Sequence, residues 1–285
     1  ERIQIDAWGF KELDVVPSAQ LIAAKAAGGM LLGAFDGERL IGFVYGFPGI
    51  ESGRVSIHSQ MLAVRPDCRN LHAGVQLKLA QRKRALEQGI KEISWTFDPL
   101  QALNANLNFN RLGVISQRYI VDFYGEETSS PLHQGVGTDR LWVRWLIATD
   151  RVRRRIGLER ELREADSSVP PIQPMAEPGN GLLSHPGPLV LVRDKGEWIR
   201  AADPVAHVKA DECMIEGPND LAALKSESIE SARAWRSVIQ NAFLVALGAG
   251  FVVIEFLTFG PEDSPRRFYL LTKRNLEDIF QFKHL

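Results

Sequence analysis

Cysteine is scarce in this chain of 285 residues, with Cys68 and Cys213 the only two. They follow no disulfide or metal-binding spacing, so a reducing compartment, the cytoplasm, is the expected setting. The six histidines are likewise spread without ligand spacing, and no metal site is expected. A surplus of one charge is also missing. A net charge of −1 removes the usual reason to expect nucleic acid or an anionic membrane as the main partner. The chain starts at Glu1, so a native segment ahead of it is expected, and no basic-then-apolar signal stands at that end.

Long apolar runs are almost absent too. Asn241–Gly260 comes near bilayer length, but Gly248 and Gly250 divide it and Glu255 follows. It reads as a helix end, a glycine stop and a buried strand around Val252, Val253 and Ile254, and no membrane span is expected. What the chain does have is the composition of a soluble globular protein, 45% hydrophobic and 24% charged.

In order along the chain, residues 2–16 read as a helix tail or an irregular lead-in. Ser18 is a candidate N-cap for a helix over Ala19–Ala27. Met30–Phe35 and Arg39–Gly46 form a hairpin about Asp36-Gly37, and Arg54–Val64 is a third strand. A helix follows Asn70, with Val75, Leu79 and Leu86 inward and Gln81, Arg82, Lys83 and Arg84 wet. Ile90–Phe97 is a strand, Leu103–Leu112 a short helix closed by Gly113, and Val114–Tyr124 and Leu141–Ile147 are further strands. Arg151–Arg163 reads as a surface helix laced with pairs such as Glu159–Arg163. The proline-rich stretch Ser167–Pro188 reads as a linker. Strands near Leu189–Arg193, Val205–Ile215, Phe251–Phe259 and Arg267–Leu271 and a helix within Leu221–Leu247 make a second part. Its ALGAGFVVIEFLTF echoes the earlier ALEQGIKEISWTF, which raises a degenerate internal repeat.

The stretch Ser56–Tyr124 organises the rest. A strand ends at Arg65-Pro66, a short polar loop follows, and a helix begins. Free N–H groups of a first helical turn and the positive end of its dipole suit an anion. Leu62-Ala63-Val64-Arg65-Pro66, then Arg69-x-x-His72-x-Gly74, resembles the acetyl-CoA-binding signature of the GNAT N-acetyltransferases, over roughly residues 17–147. His72 stands where that family usually has its first glycine, and Phe109 where it usually has a tyrosine. Within that family the chain looks like an uncharacterised subgroup with an added C-terminal region.

The resemblance implies a mixed α/β (α+β) fold whose central, mostly antiparallel sheet has splayed central strands flanked by helices, with a smaller C-terminal α+β region. Residues 1–150 would be the GNAT-like acyl-CoA-binding domain, 151–188 the arginine-rich helix and linker, and 189–285 an α+β domain, a candidate degenerate half. The resemblance also implies direct transfer of an acetyl or other acyl group from acyl-CoA to a small-molecule or peptide amine. The amides of Asn70, Leu71, His72, Ala73, Gly74 and Val75 would wrap the diphosphate with Arg69. The strand through Leu62, Ala63 and Val64 would pair with the pantetheine arm. Asn104, Asn106 and Phe109 complete the cofactor set. His58 and Asp98 are candidate bases, and Tyr119, with Tyr124, a candidate acid. Two alternatives stay open: an acyl-CoA-binding or regulatory protein without turnover, and a scaffold that binds a partner or forms a homodimer through its C-terminal half.

Overall fold

The computed structural model describes residues 1–51, 53–125, 134–164, 177–185, 188–201 and 210–281. Its chain forms two compact units that alternate along the sequence. The first holds Glu1–Thr96 with Gly125–Gln134 and Arg144–Ala148; the second holds Phe97–Tyr124, Gly135–Val143 and Thr149–Leu285.

The first unit opens with α1 (Arg2–Trp8) and α2 (Ser18–Ala26). The lead-in between them is fixed by one side chain: the fully buried amide of Gln4 both donates to the Val16 carbonyl and accepts from the Val16 N–H, at 3.0 and 2.9 Å. Ser18 is not the cap expected of it. It lies inside the first turn, and its N–H donates to Glu1 Oε1 at 2.7 Å. Strands β1 (Met30–Asp36), β2 (Arg39–Glu51), β3 (Arg54–Val64) and β4 (Ile93–Phe97) follow, adjacent in that order. The hairpin at Asp36-Gly37 is present, with Gly37 at φ 57°. Residues 41–46 of β2 are buried on both faces, as a strand with a neighbour on each side requires.

Helix α3 (Ala73–Glu87) corrects the expected wet side. Gln81 has no exposure, and Lys78 is buried beside Val75, Leu77 and Ala85. Arg82 donates Nε to the Ile147 carbonyl at 2.8 Å, so the solvated face begins at Lys83 and Arg84. Polarity alone misassigned the face because Gln81 and Lys78 find hydrogen-bond partners inside.

In the second unit the expected helix over Leu103–Leu112 is a short α4 (Ala102–Ala105) running into a π-helical turn at Asn106–Arg111. Strands β5 (Ile115–Ile120), β6 (Arg140–Trp145), β7 (Val190–Asp194), β8 (Glu197–Arg200), β9 (Glu212–Gly217), β10 (Val252–Phe259) and β11 (Arg266–Thr272) are ordered β6-β5-β10-β11-β9-β7-β8. The described helices are α5 (Asp150–Glu164), α6 (Asn180–Leu183), α7 (Leu221–Glu227), α8 (Ile229–Gly248) and α9 (Leu276–Gln281). Asp220 and Ser228 cap α7 and α8 with their side chains. Helix α8 ends, Gly250 turns at φ 86° and β10 begins, as the apolar tract implied. No described helix is long and apolar enough to cross a membrane.

The fold is thus mixed α/β, a mostly antiparallel sheet flanked by helices, with further α and β elements in the C-terminal region. The linker residues 165–176, the first part of the expected strand Val205–Ile215 and the side chains of the Glu159–Arg163 pair lie outside the described residues.

The arginine-rich helix α5 is not wholly a surface feature. Arg151 and Arg155 are 2% and 7% exposed, and both meet the buried carboxylate of Glu255 on β10. Removing one partner of a buried pair strands the other charges at a cost of about 3–5 kcal/mol. Glu255→Ala is therefore expected to lower the urea midpoint by a loss of that size, while Glu262→Ala, an exposed control, leaves it unchanged.

Candidate functional site

Between β3 and β4 the ladder is parallel and only two rungs long, Ile57↔Ile93 and His58↔Ser94. From Ser59 to Val64, β3 keeps its antiparallel partner β2 but makes no rung with β4 among the described residues. The separation starts at a β-bulge. Tyr45 faces Met61 and Phe47 faces His58, so Gly46 alone stands opposite both Ser59 and Gln60. A Cβ on Gly46 would come within 2.9 Å of the His58 carbonyl and of the Ile57 side chain, which is why glycine sits there.

Behind the bulge lies a buried polar cluster that the sequence reading missed. Lys78 Nζ donates to Ser59 Oγ at 2.8 Å and to Gln81 Oε1 at 3.3 Å, and it lies 3.6 Å from the centre of the Trp95 ring on β4. Ser59 Oγ in turn donates to Gln81 Oε1 at 3.0 Å. Burial drives the Lys78 pKa well below its ordinary value, favouring the neutral amine. The only signal for this lysine in the sequence was its position three residues before Gln81 on one helix face.

His58 is half-buried, with Nδ1 3.3 Å from Ser94 Oγ and its ring against Phe47. Its pKa is lowered to about 4, chiefly by burial; Lys78 adds to the shift only when it carries a proton. His58 is therefore an unprotonated imidazole at neutral pH.

Beyond the separation the chain turns through a 3-10 segment, Pro66–Leu71, into α3. His72 takes the left-handed conformation, φ 55° and ψ 15°, the geometry in which glycine is less strained. Helix α3 has no side-chain cap, so the amides of its first turn lack an acceptor within the helix. A Cβ on Gly74 would reach only Leu62 and Val64 side chains, at 3.9–4.0 Å, so nothing within the protein demands glycine there. An uncapped helix start beside a residue without a side chain is open to close approach by an anion. Arg69 is exposed and donates to the Ala7 carbonyl at 3.3 Å.

The other sequence candidates belong to the second unit. Asp98 braces a turn, accepting from Leu100 N at 2.9 Å, and forms a buried ion pair with Arg236 of α8 at 2.9 Å. Tyr119 donates its hydroxyl to Asp139 Oδ2 at 2.7 Å and stacks on Phe243. Burial, then the Asp139 charge, raises its pKa far above the usual phenol range. Phe109 is fully buried with Phe97 and Tyr269 around its ring. Asn106 accepts from Asn110, whose amide also bonds the backbone of Phe256 at both its N–H and C=O, and Asn104 is exposed. Tyr124 lies beside the Arg140 guanidinium. The structure thus gathers His58, the strand Leu62–Val64 and the loop Arg69–Val75 in one unit, and Asp98, Asn104, Asn106, Phe109 and Tyr119 in the other.

Residues 2–113 match the model of the acetyltransferase (GNAT) family. The amino-terminal region has the GNAT acetyltransferase fold. A further region extends beyond this GNAT core. Among solved structures the chain is similar to a GNAT family acetyltransferase from Elizabethkingia anophelis with acetyl-CoA bound: 18% identity, 51% of this chain and 88% of that one covered, TM-score 0.41. It is also similar to the ribosomal-protein-S18-alanine N-acetyltransferase from Escherichia coli, at 13% identity, 51% and 84% coverage and TM-score 0.41. An IAA acetyltransferase from Bacillus cereus aligns at 14% identity, 50% and 89% coverage and TM-score 0.38. No curated protein matches the chain. The GNAT core is an acetyl-CoA-binding architecture consistent with acyl transfer.

Two outcomes test the site as built. His72→Gly relieves a left-handed residue and is expected to raise stability by up to about 1 kcal/mol in denaturant titration. The second is a pH dependence. Unfolded His58 takes a proton near pH 6.5, folded His58 only near 4, so the unfolded state holds more protons between those values. Stability therefore falls as pH drops through that window, by about 3 kcal/mol at 1.36 kcal/mol per unit. His58→Gln should flatten that part of the profile.

Proposed function

We propose that the protein is a CoA-dependent N-acyltransferase, moving an acetyl or other acyl group to a small-molecule or peptide amine by direct transfer. The observation that carries the reading is the ladder between β3 and β4 that stops after two rungs, beside an uncapped helix start. The cosubstrate would supply an acyl group already activated as a thioester. The amides of residues 70–75 would hold its diphosphate, with Arg69 leaving the Ala7 carbonyl to add a charged fork. The strand edge over Leu62, Ala63 and Val64 has backbone groups to offer the two amides of the pantetheine arm. Holding both reactants together supplies much of the rate in such a transfer.

His58, unprotonated at neutral pH, is suited to take the proton that the acceptor amine must lose, directly or through one water. Its low basicity makes it a relay toward solvent rather than a strong base. Transfer by this route needs neither metal nor nucleic acid, and cytoplasmic residence is part of the proposal. A second reading, binding of acyl-CoA without turnover, is favoured by the engagement of Asp98 with Arg236 and of Tyr119 with Asp139. Acyl transfer across a panel of amines separates the two readings.

CoA at about a hundred times its dissociation constant should stabilise the fold by about 2.7 kcal/mol, seen as a rise in Tm. Arg69→Ala should weaken CoA about tenfold or more, the worth of a charge-assisted contact. No Tm shift at millimolar CoA would remove the proposal's main support.

A further inference from the structure

Lys78 is a buried amine of an unusual kind for this protein. Of the other buried cations, Arg151 and Arg155 share Glu255, Arg236 has Asp98, and Arg140 donates to the Asp139 carbonyl and lies over the Tyr124 ring. Lys78, 2% exposed, has no carboxylate partner among the described residues. Its contacts are the neutral oxygens of Ser59 and Gln81 and the face of Trp95. A permanently charged ammonium in that place would lack a counter-ion and most of its hydration. The neutral amine, which carries a free electron pair, is the form such surroundings favour, in line with the strong downward shift of its pKa.

Its position is as particular as its surroundings. Ser59 belongs to the bulge at which β3 leaves β4, and Trp95 is the β4 residue just past the last rung, Ser94. The amine therefore bridges the two strands where they part. In the proposed function that parting admits the thiol-bearing arm, so a thioester reaching the bulge meets an unprotonated primary amine from within the protein.

We propose that Lys78 is a self-acylation site, which takes the acyl group of a bound acyl-CoA. This rests on the acyltransferase reading and adds an acceptor within the chain itself. Lys78 Nζ forms a bond to the acyl carbonyl carbon, the carbon–sulfur bond breaks, and the proton lost by the amine goes to the departing thiolate. The products are Nε-acyl-Lys78 and free CoA, with nothing oxidised or reduced. An amide so formed does not return its acyl group to an amine under mild conditions. Acylation of Lys78 also removes a donor from Ser59 and fills the parting of the strands, so it would shut the site after a slow internal turnover.

The test compares two acetyl donors on the full chain. After incubation with acetyl-CoA, mass mapping is expected to find one acetyl group on Lys78. Acetic anhydride, which needs no binding site, should instead label exposed lysines such as Lys25, Lys83 and Lys91 and spare Lys78. Arg69→Ala should reduce acetyl-CoA labelling of Lys78 in proportion to its loss of CoA affinity. Equal labelling of Lys78 by both reagents would overturn the proposal, since the amine would then be open to any reagent. Unlabelled Lys78 in a protein whose Tm rises with CoA would overturn it while leaving the acyltransferase reading intact. Absence of both the Tm shift and the label would overturn the two together.

Discussion

The first unit depends on a ladder that ends early. Two parallel rungs hold β3 to β4, and then an extra residue in β3 bends that strand away. Neighbouring parallel strands normally continue to pair, because each unmade backbone bond leaves groups in need of a partner. Here the bulge makes the interruption a fixed part of the fold. Gly46 lets β2 follow β3 around the bend without collision. The Ser59–Gln81–Lys78 cluster ties the bent strand to α3 from behind. Downstream, the chain leaves Val64 and enters α3 through His72, whose left-handed backbone lets the helix begin without a side-chain cap. Bulge, cluster and uncapped start form one continuous arrangement along β3 and α3.

The protein buries positive charge in two different ways. In the second unit, three buried guanidinium groups are matched with carboxylates: Arg151 and Arg155 with Glu255, Arg236 with Asp98. Such sets are expensive to break and hold their partners in register, so they serve the framework. In the first unit, Lys78 is left with neutral acceptors and an aromatic face. Lysine can give up its proton when buried, and arginine in practice cannot. The exchange of arginine for lysine thus coincides with the exchange of framework for a place where chemistry is feasible.

Much of this arrangement was legible in the sequence. Asp36-Gly37 announced its hairpin, the glycines Gly248 and Gly250 separated a helix from a strand, and the loop after Pro66 pointed to a helix start suited to anions. His72, which departs from the glycine of the family's signature, keeps the left-handed backbone in which glycine is less strained. The failures share a physical cause. Helical periodicity assigns faces by polarity, and it placed Gln81 outside because no local pattern reveals that Ser59 will meet it. Asp98 was a candidate base, but its partner Arg236 lies 138 residues later and has no local trace. The bulge depends on pairing register, which a single strand does not contain. The π-helical turn arises where Asn110 reaches the backbone of Phe256, again a distant contact.

The clamp on Glu255 bears on how the gene could be cut. Strand β5 has β10 as its sheet neighbour, and α5 keeps two guanidinium groups in the interior with that one distant carboxylate as their shared anion, beside the carbonyls of Asn110, Gly113 and Ile254. A shortened version stopping in the proline-rich stretch would lose both at once. It would bare a strand edge and leave two cations with no answering anion, a recipe for insoluble material. Whatever the carboxyl-terminal residues do for a partner or a substrate, they are also the counterweight that lets the middle of the polypeptide stay folded.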